Sequence, residues 1–170
     1  MFTSDQIREL FDFLRWGDRQ MLDAAGKLPE TEYYKDRNIS HGSIHKVLVH
    51  AMAAEWISLQ RWLGNNPTRI EDPTDYPTRD ALAARWPIVH LGLSQFLDKQ
   101  TARSLEAPLT YQNLSGAIVT SPLGGLLFHV VDHGSYHRGQ LNTMIKQAGG
   151  QAVGVNFANF IAAKATKKVV

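Results

Sequence analysis

From Leu123 to Ala148, apolar side chains return every three or four residues: Leu123, Leu126, Leu127, Val130, Leu141, Met144, Ile145 and Ala148. That spacing draws one stripe along an α-helix. The middle turns of the stripe, where apolar residues belong, carry His133 and His137 instead, with His129 one turn earlier. Residues four apart sit one above the other on a helix, so their imidazoles can converge on one point. Two histidines from a single helical turn are a common way to hold a divalent metal. The competing reading is a pair of hydrogen-bonded core or half-exposed histidines.

A long helix with one apolar face has to bury it, and three other stretches offer matching faces. The first helix starts at Thr3 or Ser4, either of which can cap it, and carries Ile7, Leu10, Phe11, Leu14, Met21, Leu22 and Ala25. Gly26 and Pro29 end it. Asp18 falls on the seam 7, 11, 14, 18, 21, 25, where a carboxylate needs a partner. It is read either as a structural hydrogen bond or salt bridge, or as a catalytic base or supporting group beside a metal. The second helix runs from Ser40 or Ser43 to Leu63 with Gly64 after it. His50 lies in its apolar row 47, 50, 54, 57, while His41 and His45 read as residues of the turn leading in. Glu55 reads either as buried and paired or, with polar Ser58 three residues on, as a solvated edge of that face, the second being preferred.

Pro67, Pro73 and Pro77 mark a loop. A third helix, capped by Thr78, is expected to reach about Leu105, kinked or split at Pro87. His90 on it has no partner one turn away and reads as a surface or core residue. Leu109–Tyr111 and Ala117–Val119 can pair as a small β-hairpin. Ser121-Pro122 then reads as the N-cap and first residue of the last long helix. Phe157 to Ala163 is expected to pack on the rest. Four amphipathic helices joined by long linkers predict an all-α fold, a four-helix bundle with long crossover connections, forming one domain over residues 1–170.

Cysteine is absent, so any metal must be held by His, Asp or Glu. Net charge is +2, and the one basic cluster, Lys164 to Lys168, reads as a solvated tail. Neither nucleic acid nor a membrane is therefore an expected partner. The opening residues show no basic and apolar signal pattern, and no run is long enough to span a bilayer. The expected location is the cytoplasm.

The stretch His133-Gly-Ser-Tyr-His137-Arg138-Gly139-Gln140-Leu141 resembles the signature of the DinB/YfiT-like superfamily of proposed metalloenzymes. Leu14-Arg-Trp16-Gly-Asp18-Arg19 is similar to that family's first helix, and Ser43 to His50 with Glu55-Trp56 and Trp62-Leu63 to its second. The resemblance spans about residues 4–150. It implies a four-helix bundle with a long crossover, often a homodimer, and a divalent metal held by three histidines. Matched residue by residue, these are His50, His133 and His137, with His129 as a supporting or spare histidine. The chain departs from the family pattern at Gly17-Asp18, where Ala-Asn is common, and at Tyr136, where another histidine is frequent. Pro87, Asn156 and Asn159 are further departures.

Three neutral imidazoles leave a divalent ion an open position, the arrangement of catalytic rather than structural sites. Such an ion can lower the pKa of water toward neutrality or hold a small thiol as thiolate. The resemblance implies a small-molecule substrate and either hydrolysis or transfer to a low-molecular-weight thiol such as bacillithiol or mycothiol. A non-catalytic, stress-associated metal-binding protein is the alternative. Zinc or nickel is the first choice of ion, with iron and manganese next. Arg138, one residue round from His137, is expected to pair with Asp132 or Asp18; Tyr136 can offer its hydroxyl near the site, though its helical phase favours packing.

Overall fold

Four long helices follow from the four apolar stripes. In the computed structural model, which describes residues 2–39 and 41–167, they are α1 (Ser4–Gly26), α3 (Ile44–Trp62), α4 (Arg79–Leu97) and α6 (Leu123–Gln147). Ser40, the alternative cap of α3, and Lys168 of the basic tail lie outside the described residues. The local starts are those the caps dictate. Thr3 accepts from the Gln6 amide and its own amide donates back to Gln6 Oε1 at 2.9 Å, a capping box. Ser43 and Thr78 cap α3 and α4 in one direction only, their hydroxyl oxygens accepting from the backbone amides of Lys46 and Ala81.

Round the bundle the order is α1, α6, α3, α4, with α4 returning to α1. Consecutive long helices α1 and α3 therefore stand diagonally, as do α4 and α6, and their linkers cross the bundle ends. The first linker holds a short helix, α2 (Glu30–Tyr34), that the sequence pattern does not reveal. The core runs through Phe11, Leu14, Met21, Val47, Leu48, Met52, Leu82, Trp86, Leu93, Leu127, Leu141 and Met144, all nearly inaccessible to solvent. Trp62 belongs to this core, and Trp16 and Trp56 pack half-buried against it.

Several expected boundaries change. The third helix stops at Leu97, and a separate turn, α5 (Ala102–Glu106), restarts at a Thr101–Ser104 capping box. Pro87 neither ends nor splits α4, which runs through it. The hairpin is longer than its apolar residues suggest: β1 (Pro108–Gln112) pairs antiparallel with β2 (Ile118–Pro122). Ser121 and Pro122 are thus the end of a strand, and α6 begins without a side-chain cap. A last helix, α7 (Phe157–Lys167), lays Phe157 and Phe160 against Phe13 of α1. Among the described residues, no helix is long and apolar enough to cross a membrane.

Candidate metal centre

His50 of α3 and His133 and His137 of α6 meet where these two helices pack. Their ring centroids lie 5.3 Å (His50–His133), 4.8 Å (His50–His137) and 4.3 Å (His133–His137) apart. The Nε2 atoms of His133 and His137 face each other at 3.1 Å. Nitrogens about 2.05 Å from one shared ion sit roughly 3.3 Å apart at tetrahedral angles, so that edge suits a common cation. The Nδ1 of His137 lies 3.1 Å from Gln140 Oε1. An amide oxygen only accepts, so Nδ1 carries the proton and the Nε2 lone pair is turned to the cluster.

A fourth histidine joins them. His41 stacks on His50 with centroids 3.9 Å apart. His41, His50 and His137 each present a ligand atom within 4.8 Å of the others, a possible three-histidine metal cluster. Helical phase could not place His41, because it precedes α3. A tight turn places it: Gly42 has φ +87° and its amide donates to the Ile39 carbonyl at 2.6 Å. A Cβ at Gly42 would stand 2.8 Å from Asp36 Oδ2, so both conformation and space require glycine there. A histidine directly before such a glycine, one turn before a buried helix face, was the signal available.

The imidazoles are held neutral. Burial, then the repulsion of His41, His137 and His133, lowers His50 to about 3. Burial and the neighbouring histidines lower His133 to about 4, and burial lowers His137 and His41. Neutral imidazole is the form that ligates a metal. Beside His133 lies a cleft of about 180 Å³ lined by Ala54, Ser58, Arg61, Leu114 and His129 among others. His129, 6.0 Å from His133 between centroids, borders this cleft and contributes to its wall.

His45, the other histidine before the bundle face, is structural. Its Nε2 donates to the Tyr76 carbonyl at 2.8 Å and its Nδ1 accepts from the Tyr33 hydroxyl at 3.2 Å. Tyr136 is 68% exposed rather than packed in the core, and its ring stands edge-on to His137 with centroids 5.1 Å apart.

Asp18 joins a second cluster on the α1–α3–α4 side of the bundle, not the histidines. Its Oδ1 accepts from Arg138 Nη1 at 3.3 Å, and its Oδ2 stands 3.3 Å from His90 Nε2. Glu55 is not a solvated edge. It is 3% exposed, accepts from Trp86 Nε1 at 3.1 Å, and lies 3.2 Å from His90 Nε2. His90 therefore has partners, but from α1 and α3 rather than from its own helix. Burial and the charge of Asp18 raise the Glu55 carboxyl, while the two carboxylates, outweighing burial, raise His90 to about 9. Of the two partners expected for Arg138, the structure selects Asp18.

The family model described as the DinB family matches residues 1–168. The chain belongs to the DinB family. Protein DinB of Bacillus subtilis (strain 168) is 26% identical over 170 residues, covering 97% of this chain and 99% of that protein. The crystal structure of a DinB-like protein from Bacillus cereus ATCC 10987 superposes with a TM-score of 0.71 at 19% identity, over 92% of this chain and all of the other. That second likeness carries the DinB-like all-α fold.

Proposed function

We propose that this DinB family chain is a metal-dependent enzyme whose divalent ion is held by His50, His133 and His137 and whose substrate is a small molecule. The convergence of these rings, with the His133–His137 nitrogens 3.1 Å apart, carries the proposal. When bound, zinc or nickel there supplies Lewis acidity toward water or a small thiol. Gln140 orients His137 and fixes its tautomer. The cleft beside His133 admits only a compact group, with Arg61 and Ser58 offering a cation and a hydroxyl to orient it. Asp18, held by Arg138 in the other cluster, serves as a positioning residue for α6 through that arginine. Within this reading the reaction is hydrolysis or transfer involving a low-molecular-weight thiol.

His41 favours a second reading. Four imidazoles fill a tetrahedral ion and leave no open position, which is the arrangement of a structural site. In that case the ion only stabilises the bundle, the stress-associated metal-binding alternative.

Elemental analysis and Co²⁺ absorption spectra of the wild type, His133→Ala and His41→Ala separate the two. Bound metal lost in His133→Ala, with turnover in a panel of thiol acceptors, esters and amides, supports the enzyme. A closed tetrahedral spectrum that opens in His41→Ala, with no turnover in zinc or nickel form, supports the structural ion. No bound metal after loading with either ion removes both readings. A homodimer is part of the proposal: Ile88 and Leu91 on the outward face of α4 are 60% and 58% exposed and can meet a second copy, which sedimentation velocity checks.

A further inference from the structure

Asp18, Glu55 and His90 come from three different helices and point their ligand atoms at one small volume, all within 4.8 Å of one another. We propose that this triad is a second divalent cation site, separate from the histidine cluster. Two distances carry the geometry: His90 Nε2 is 3.3 Å from Asp18 Oδ2 and 3.2 Å from Glu55 Oε2. Donors about 2.05 Å from a common ion are separated by roughly 3.3 Å at tetrahedral angles, so both edges are those of one coordination polyhedron.

His90 Nε2 stands at ion-pair distance from both carboxylates, nearly equidistant from Asp18 Oδ2 and Glu55 Oε2. Asp18 Oδ2, buried beside it, has no aligned hydrogen-bond donor, and the second oxygen of Glu55, Oε1, is buried with none either. Asp18 and Glu55 are 2% and 3% exposed, where an unpaired carboxylate oxygen is costly.

The surroundings resemble the outer support of a metal site. Arg138 Nη1 donates to the other oxygen of Asp18, leaving Oδ2 to face His90, and Trp86 Nε1 donates to Glu55. Such donors orient ligating carboxylates. His90 also lines a surface cleft of about 400 Å³ between α1 and α4, beside Trp86 and Pro87, with Arg19 and the Asp12-paired Arg15 on its rim. That cleft is the route for an ion. Glu55 lies five residues after His50 on α3, which places it about 7.5 Å further along the axis and roughly 140° round. The two sites therefore cannot form one dinuclear centre, whose ions sit about 4 Å apart or less.

Two carboxylates with one imidazole suit a harder ion than an all-imidazole set does, and the ion takes the place of the proton that those carboxylates otherwise hold on His90. Mn²⁺ is accordingly the probe, added to metal-free protein without zinc, which would outcompete it at a shared site. The loss of the free Mn²⁺ six-line electron paramagnetic resonance signal is read on the full chain. The expected result is one Mn²⁺ taken up by the wild type, at least tenfold weaker uptake in His90→Gln, and uptake retained in His50→Ala/His133→Ala. An undiminished Mn²⁺ signal in the wild type at millimolar concentration overturns the proposal, whether or not the variants fold. So does uptake that His90→Gln leaves unchanged in a protein with native circular dichroism. The triad is then an imidazolium held between two carboxylates. Failure of the histidine cluster to bind zinc leaves this result independent, because the second site is read from Mn²⁺ and from His90.

Discussion

Replacing Arg138 by methionine tests how the two clusters are tied to the fold. Arg138 is 2% exposed. Its Nη1 reaches Asp18 Oδ1 at 3.3 Å, its Nη2 donates to Ser135 Oγ at 2.8 Å, and the guanidinium lies 4.6 Å from the centre of the Phe13 ring. Gly17 and Gly134 make room for it: a Cβ at Gly17 would stand 2.7 Å from Arg138 Cδ, and one at Gly134 3.1 Å from Nη1. Methionine fills much of the same volume, so the loss is chiefly that of the charge. Asp18 would then be left near Glu55 with only His90 to compensate two carboxylates. Breaking a buried pair from one side costs about 3–5 kcal/mol. For a chain of this size each kcal/mol moves Tm by about 2–4 °C, giving a fall of roughly 6–20 °C. Urea denaturation at pH 7 measures the free energy and calorimetry the Tm. In a double-mutant cycle with Asp18→Asn, the two losses should be strongly non-additive, because the second substitution removes the charge the first one strands. A loss below about 1 kcal/mol, the size of an exposed ion pair, or additive losses would refute the reasoning.

Gly134→Ala should destabilise the bundle by up to about 2 kcal/mol, because its Cβ would collide with Leu14 Cδ1 where α1 meets α6. Overpacking costs about 1–3 kcal/mol, more than the roughly 1 kcal/mol that alanine gains over glycine in a helix. Gly139→Ala on the same helix, with nothing within 4 Å, should instead stabilise, and thermal melts of the pair check the contrast. In metal-free protein, His90 raised to about 9 from an unfolded value near 6.5 gives stability that is complete below 6.5 and is lost as pH rises through 9. His50 and His133, lowered to about 3 and about 4, act oppositely: their burial in neutral form costs stability progressively as pH falls below 6.5. Melts across pH should flatten on the alkaline side in His90→Gln and on the acid side in His50→Ala. Zinc at a hundred times its Kd should stabilise the wild type by about 2.7 kcal/mol, or roughly 5–11 °C, and shift His133→Ala much less; equal shifts in calorimetry would place the ion elsewhere.

The long helices are legible because each is written twice, once in a 3.6-residue stripe and once in a local cap. Thr3, Ser43 and Thr78 mark starts that depend on residues three positions away. Ser121-Pro122 carries the same local signal and misleads, since the pairing of Pro108 with Pro122 across the hairpin takes those residues into a strand. The five-residue α2 is too short to show a period, and the end of α4 at Leu97 is invisible within a stripe that Leu105 continues. His133 and His137 are readable from spacing along one helix, and His50 from its row. His41 is not readable from helical phase, because a left-handed glycine in a loop delivers it, and its only mark in the sequence is that it directly precedes that glycine.

Glu55 shows what a stripe read one helix at a time leaves out. Its polar neighbour Ser58 argues for solvent, yet its partners are Trp86 and His90 of α4, which no periodicity within α3 can announce. The interruptions are nonetheless related. Asp18, Glu55, His90 and Arg138 each break or edge an apolar face, two of them acids and two bases, and the fold gathers all four. His50, His133 and His137 break the remaining faces and gather with His41. Each of these groups buried alone would cost several kcal/mol, so polar residues on stripes that must pack together have to find their partners among one another. Charge is what divides them: the acids attract one histidine and the arginine. The histidines without an acid opposite them are left to meet as neutral imidazoles, a set compatible with a divalent cation.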